Sequence, residues 1–258
     1  MRLLIIDGNS ILNRAFYGIR PLSTKEGIPT NAVYGFLNIL KKHIDALSPT
    51  RMVCAFDRKA PTFRHTMYSQ YKATRKGMPE ELAIQLPYAM RAAEALGCQV
   101  IAMEGYEADD VLGTVSARAE AMGGIHTFLL TGDRDSLQLV SPATTVVLVK
   151  TKEDILYTPE VFREEYGIDP IRLIDVKALM GDTSDNIPGV PGIGEKTALK
   201  LIAQAGTLDG VYEDTQALGV TKSVAAKLDA GRDSAFLSRD LATICRSAPI
   251  PDTDRMAE

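Results

Sequence analysis

The chain has 258 residues, 45% of them hydrophobic and 24% charged, enough apolar material for a sizeable core without disulfides. Its three cysteines, Cys54, Cys98 and Cys245, stand far apart with no C-x-x-C spacing, which fits reduced thiols better than a secreted disulfide framework or a zinc site. A net charge of −4 argues against a polyanionic partner when taken alone. The charges are unevenly spread, however. Between Arg58 and Pro79 stand Arg58, Lys59, Arg64, Lys72, Arg75 and Lys76 with no acid among them, interleaved with Phe63, Tyr68 and Tyr71.

The first apolar run, Leu3 to Ile6, ends at Asp7 and is too short for the core of a signal peptide. No run approaches a membrane span, so a soluble, cytoplasmic protein without a membrane partner is expected. Thr30 to Leu47 reads as a helix. Met52 to Phe56 reads as a strand ending at Asp57, and helices are predicted for Glu81 to Leu96 and Ala108 to Met122. The strand Thr127 to Leu130 runs into Thr131-Gly132-Asp133, and the strand Thr145 to Val149 is followed by lysines. Continuous apolar strands alternating with helices predict an α/β fold around a mainly parallel sheet. Ligands of such sheets lie beyond the carboxyl ends of the strands, where Asp7, Asp57 and Asp133 fall.

The second half is predicted to be helical. Pro159 to Tyr166 and Pro170 to Met180 each open with proline, a favoured first-turn residue. The turn Ile187-Pro188-Gly189-Val190-Pro191-Gly192-Ile193-Gly194 then leads into the amphipathic stretch Glu195 to Ile202, a helix–hairpin–helix signal. The polar end, Pro249 to Glu258, is expected to fray.

The acids that could carry chemistry are Asp7, Asp57, Glu107, Asp109, Asp110, Asp133, Asp135, Asp182 and Asp185. Each also has a structural reading. Asp7, Asp133 and Asp135 suit turns, Glu107 to Asp110 suit a helix N-terminus, and Asp182 with Asp185 suit a loop before Pro188. Together they point to metal, because the strand ends gather them. Oxygen donors without histidine or cysteine select hard cations, magnesium or manganese over zinc.

The order of motifs resembles the bacterial 5′–3′ exonucleases, which include the N-terminal nuclease domain of DNA polymerase I and, more distantly, the flap endonucleases. The resemblance is carried by Ile6-Asp7-Gly8-Asn9 with Arg14-Ala15-Phe16-Tyr17, by Phe56-Asp57, by Thr62-Phe63-Arg64, and by Tyr71-Lys72-Ala73-Thr74-Arg75. It continues through Gly105 to Asp110, Thr131 to Asp135 with Gln138-Leu139, and Met180 to Gly189, and runs on through Gly194-Glu195-Lys196. It spans about residues 1 to 245 and departs from the family pattern at no acidic position.

This resemblance implies a resolvase-like α/β core at 1–165 with a helical arch at about 58–96. A helical region at 166–258 follows, with a helix–hairpin–helix at about 184–206. It implies one metal held by Asp7, Asp57, Glu107 and Asp109 with Asp110 close by, and a second held by Asp133, Asp135, Asp182 and Asp185. Lys72 and Arg75 would meet the scissile phosphate, and Tyr71 would stack on a base. Arg14, Arg64, Lys177, Gly189, Gly192, Gly194 and Lys196 would contact DNA, with a potassium ion at the glycine-rich turn.

The expected function is a structure-selective 5′–3′ exonuclease or 5′-flap endonuclease, a monomer that cleaves DNA at flaps, nicks or 5′ ends by a two-metal mechanism. The alternatives are a catalytically silent branched-DNA-binding module, a small-molecule magnesium phosphatase, and a nuclease domain excised from a DNA polymerase I.

Overall fold

The computed structural model describes residues Met1 to Pro251 and separates into two compact units. The first comprises Met1–Thr62, Gly77–Thr158 and the segment from Cys245; the second comprises Phe63–Lys76 and Pro159–Ile244. The second unit also takes in fourteen residues from the basic stretch. Its helices in chain order with those of the first are α1 (Gly8–Gly18), α2 (Asn31–Leu47), α3 (Phe63–Met67), α4 (Glu80–Ala95), α5 (Ala108–Met122), α6 (Pro159–Tyr166), α7 (Leu173–Met180), α8 (Glu195–Ala205), α9 (Leu208–Glu213), α10 (Lys222–Ala230) and α11 (Arg232–Ala242).

The first unit is built on one sheet of β1 (Arg2–Asp7), β2 (Arg51–Phe56), β3 (Gln99–Ala102), β4 (His126–Thr131), β5 (Thr144–Leu148) and β6 (Ile155–Tyr157). The order is β3-β2-β1-β4-β5-β6, with β1 to β5 paired in parallel and β6 antiparallel to β5. Leu3, Leu4, Ile5 and Ile6 are all fully buried, as a central strand covered on both faces requires. Leu4 and Ile6 join a cluster with Ile11, Leu12, Phe36, Leu40, Phe56 and Leu82 from the α1, α2 and α4 side. By strand alternation Leu3 and Ile5 face the other way. Helix α5 packs against β1, β2 and β4.

The chain moves outward from β1 to β2 and β3, then returns to the other side of β1 for β4. Connections therefore leave β1 and β4 in opposite directions, and a crevice opens beyond their carboxyl ends. Asp7 and the turn after Thr131 lie there.

The stretch expected to form an arch divides instead. Helix α4 is a core element that buries Leu82, Gln85, Ala89 and Ala93. Gln85 explains its position: Oε1 accepts from Ala32 N at 2.7 Å and Val33 N at 3.2 Å, capping a helix whose Thr30 makes no side-chain cap bond. Near the other end of the chain, Ile250 is 4% exposed and Arg118 donates to the carbonyls of Ile250 and Pro251 at 3.4 Å. The expected fraying therefore does not begin at Pro249; residues 252 to 258 lie outside the described ones.

In the second unit α7 packs on α8 and α11. Gly181 and Gly189 approach so closely that a Cβ on Gly189 would stand 2.3 Å from Gly181 N. Ser238 accepts from Gly189 N at 2.9 Å, and Ser234 donates to Gly189 O at 2.6 Å, so α11 locks this crossing. The segment Phe63–Lys76 folds onto the same unit. Tyr71 packs with Ile187, Leu241 and Ala242, and Asn186 donates to Gln70 O at 2.7 Å.

Candidate active site

Asp7 ends β1 and serves as the N-cap of α1, accepting from Ser10 N at 2.9 Å. Its other oxygen accepts from the Thr131 hydroxyl at 2.7 Å. Gly8 lets the chain turn here, since a Cβ would stand 2.5 Å from the Phe56 ring. The Thr131 hydroxyl also accepts from Asp133 N at 3.0 Å, and Asp133 Oδ1 accepts from Asp135 N at 2.9 Å. Ser10 Oγ accepts from Gly132 N at 2.9 Å, tying α1 to the same turn. Two strand ends and one helix start are thus knitted into a single loop cluster.

Asp57 reaches the cluster from β2. Its N–H donates to Asn9 Oδ1 at 2.8 Å, and its Oδ1 accepts from Ala108 N at 2.7 Å. That second bond satisfies one of the open N–H groups at the start of α5, where negative charge is also favoured by the helix dipole. Glu107 caps α5, and Asp110 completes a capping box by accepting from Glu107 N at 2.9 Å. Asp110 is fully buried and also accepts from Cys245 N at 2.8 Å. It braces the helix start, while Asp109, one residue earlier, faces Ser136 Oγ at 3.4 Å.

The electrostatics of these acids are strained. Burial pushes the Asp7 carboxyl up to about 7 against the hydrogen bonds from Ser10 and Thr131, and Asp133 and Asp57 add repulsion. Asp109 is raised well above the usual carboxylate range, first by burial, then by the charges of Asp7, Asp133, Asp135 and Asp57. Five aspartates therefore share one field. Among the described residues no three His, Cys, Asp or Glu side chains already stand at the spacing of a shared ion. The donors nonetheless fit a hard divalent cation: they are carboxylate oxygens, and a bound cation relieves the repulsion that destabilises Asp109 as an anion.

Asp182 and Asp185 belong to the second unit, where each is matched by cations. Lys177, itself 7% exposed, donates to Asp182 Oδ2 at 2.6 Å. Burial opposes the ionised Asp182, but Lys177 and Ser184 prevail and hold its carboxyl at about 2. Asp185 pairs with Arg75 and stands 3.8 Å from Lys72 Nζ, while Tyr71 donates to its Oδ2 at 3.3 Å. Lys72 has φ +55, and its N–H donates to Asp185 O at 2.8 Å.

Three expected DNA contacts take structural roles. Tyr71, expected to stack on a base, is 3% exposed in the apolar cluster of its unit. Arg64 is also 3% exposed and donates to the carbonyls of Leu241 at 2.9 Å and Thr243 at 2.8 Å, which close the end of α11. Gly189 is buried with its N–H committed to Ser238. Gly192, Gly194 and Lys196 remain exposed, with Lys227 Nζ donating to Gly192 O at 3.3 Å. Arg14 is partly exposed on α1 and Lys177 is buried against Asp182. The sequence reading missed Asn9, Ser10, Thr131 and Ser136. Their signal is short polar side chains one to three residues from a strand-end acid.

A family model described as 5′-3′ exonuclease, N-terminal resolvase-like domain, matches residues 2–167. A second, described as 5′-3′ exonuclease, C-terminal SAM fold, matches residues 168–257. DNA polymerase I of Caldicellulosiruptor bescii is 44% identical over 254 residues, covering 97% of this chain and 30% of that protein. DNA polymerase I of Bacillus subtilis is 43% identical over 251 residues, covering 96% of this chain and 28% of that protein. The chain thus spans less than a third of the length of these relatives. Among solved structures, T5 5′-exonuclease with bound divalent metal ions (zinc) gives a TM-score of 0.78 at 21% identity, covering 95% of this chain and 90% of that one. A bacteriophage T5 flap endonuclease in a pseudo-enzyme–product complex with DNA and metal ions gives 0.73 at 23%, covering 95% and 91%. The likeness to both is one of fold.

Proposed function

The chain belongs to the 5′-3′ exonuclease family, and from that premise we propose that it hydrolyses DNA phosphodiester bonds at 5′ flaps, nicks and 5′ ends, acting as a cytoplasmic monomer. The observation that carries the reading is the convergence of Asp7, Asp57, Asp109, Asp133 and Asp135 on one field at the carboxyl ends of β1, β2 and β4. A field that penalises its own anions suits a site completed by divalent cations, magnesium with manganese as substitute. Asp7, Asp57, Glu107, Asp109, Asp133 and Asp135 would hold them in the first unit; Asp110 braces Glu107 and supports the set from behind. For Asp182 and Asp185 of the second unit, a metal-binding role rests on the sequence resemblance. Bound ions supply Lewis-acid polarisation of a phosphoryl oxygen and neutralise developing charge.

The chain's own residues supply placement. Ser10 and Thr131 fix the two oxygens of Asp7, Thr131 fixes the Asp133 backbone, and Ala108 fixes Asp57. In the reaction water forms a bond to phosphorus while a P–O ester bond breaks, and the leaving oxygen takes a proton. No protein nucleophile is required. The three histidines are engaged elsewhere: His43 with Asp154, His126 with Thr145, and His65 edge-on to Tyr71. Lys72 and Arg75 are proposed to meet the strand's phosphate, and the exposed backbone of Gly192 and Gly194 to meet duplex phosphate, with potassium at that turn.

Among the described residues no helix is long and apolar enough to cross a membrane. The test is cleavage of a 5′-labelled flap with and without magnesium, read by product length. Magnesium-dependent release of short 5′ products is expected. A folded protein that binds the flap but never cuts it would instead be a silent branched-DNA module.

A further inference from the structure

The lysines that follow β5 are absorbed by none of the roles above. With Arg14 of α1 they line a shallow, open cavity of about 640 Å3 formed with the β5–β6 hairpin. Arg14 donates to Thr151 Oγ1 at 3.4 Å, joining the hairpin to α1. The same side chain runs along the turn after β4: a Cβ on Gly132 would stand 3.7 Å from Arg14 Cδ and Nη1. The cavity therefore abuts the turn that carries Asp133.

The balance of charge in this cavity is the decisive point. Its lining includes Arg14, Lys150 and Lys152 against Glu153 and Asp154. Asp154 is already occupied. It accepts from Lys42 Nζ at 2.5 Å and from Lys150 N at 3.1 Å, and it faces His43 Nε2 at 3.2 Å. His43 is buried, with Nδ1 2.8 Å from Ile39 O, so its ring is fixed between the backbone of α2 and Asp154. With Asp154 drawn back onto α2, three cations confront one exposed acid at the cavity. Asp154 also fixes the backbone of the hairpin at Lys150, which lowers the ordering cost of binding an anion there.

We propose that Arg14, Lys150 and Lys152 form a binding subsite for a backbone phosphodiester of the DNA strand, next to the carboxylate cluster. The proposal rests on the nuclease reading. It adds a grip that is sequence-independent and electrostatic, distinct from the glycine-rich turn of the second unit.

The experiment measures equilibrium binding of a 5′-flap DNA over a range of salt concentrations, with calcium replacing magnesium to stop turnover. Lys150→Ala and Lys152→Ala are compared with wild type and with Lys41→Ala, whose exposed lysine pairs with Asp45 on α2. Each hairpin variant is expected to make the slope of log affinity against log salt less negative by about 0.9, one phosphate contact's worth. Lys152→Arg is expected to restore the slope, and Lys41→Ala to leave it unchanged. Unchanged slopes in both hairpin variants would overturn the subsite while wild-type cleavage of the flap still upholds the nuclease. A wild type that neither binds nor cuts the flap defeats the nuclease reading itself. Titration with inorganic phosphate identifies the source: phosphate binding lost in the variants while DNA binding is intact overturns the proposal in favour of a free-phosphate site.

Discussion

Thr131 donates its hydroxyl proton to Asp7 Oδ2 at 2.7 Å, so the last residue of one strand orients the last residue of its neighbour. The Thr131 hydroxyl oxygen in turn accepts from Asp133 N at 3.0 Å, and a single hydroxyl thereby sets two acids of the cluster. Thr131→Val keeps the β-branched shape but removes both bonds. Activity is expected to fall about 10–100-fold, the usual effect of losing a partner that orients a metal ligand. The loss should appear as a higher magnesium requirement in a titration of cleavage rate. A variant with a wild-type magnesium curve would show that Thr131 serves stability alone.

The raised carboxyl of Asp7 makes metal-free stability depend on pH in a defined direction. Its folded pKa, about 7, lies above its ordinary value of 3.8, so the folded state holds the proton more tightly than the unfolded chain. That contribution is complete below about pH 4 and is lost as pH rises through 7; Asp109 is raised in the same direction. In EDTA the melting temperature is expected to fall between pH 4 and 7. Asp7→Asn should flatten that slope, abolish cleavage, and leave or raise the melting temperature at pH 7. A variant that melts well below wild type at pH 7 in EDTA would mean that the cap to Ser10 outweighs the buried charge.

Strands β1, β2, β4 and β5 were legible because a buried parallel strand is apolar throughout, the long helices because apolar residues recur along them, and α6 because Pro159 opens it. Strands β3 and β6 were not. Gln99–Ala102 has one buried position among four, and Ile155–Tyr157 has three residues, too short for any periodicity. The acids could be found from their place after strands, but their supports could not. Arg64 shows why: in sequence it is one more cation in a basic run, and its role depends on carbonyls 177 and 179 residues away. Tyr71 likewise sits beside Lys72 in sequence and is buried against Leu241 in space.

The burial of Arg64 separates folding from binding. Arg64→Met preserves the apolar stem and leaves the carbonyls of Leu241 and Thr243 without the donors they have now. Each such loss costs about 1–3 kcal/mol. A clearly lowered melting temperature is expected, with flap affinity near wild type where the variant remains folded. A variant that melts as wild type does but binds DNA more weakly would return Arg64 to the interface.

Lys177 and Asp182 form a largely enclosed pair, and breaking such a pair by removing one partner costs about 3–5 kcal/mol. With Asp182 held at about 2, below its ordinary 3.8, the stabilisation is present above 3.8 and is lost as pH falls through 2. Lys177→Met is expected to be less stable than wild type at pH 7, with the gap closing on acidification. Denaturant melts at pH 7 and pH 3 measure it. A gap that stays constant between the two would assign the loss to packing of the lysine stem.

The two glycines of the same turn are expected to fail in different ways. Gly189 has φ +59 and its missing Cβ faces Gly181 backbone at 2.3 Å, which cannot yield without opening the crossing that Ser238 and Ser234 lock. Gly189→Ala should therefore lower the melting temperature sharply, whatever the substrate. Gly192 also has a positive φ, +81, but it is exposed, and its Cβ would meet only the flexible end of Lys227. Asparagine tolerates that backbone region better than other non-glycine residues, so Gly192→Asn should keep the fold at a modest cost. A side chain there intrudes where backbone N–H groups would approach a phosphate. Binding of a duplex arm should weaken for Gly192→Asn by a similar factor on every sequence, while a single-stranded 5′ end is cut as before. Equal losses on both substrates, in a variant that melts near wild type, would remove the turn from the DNA interface.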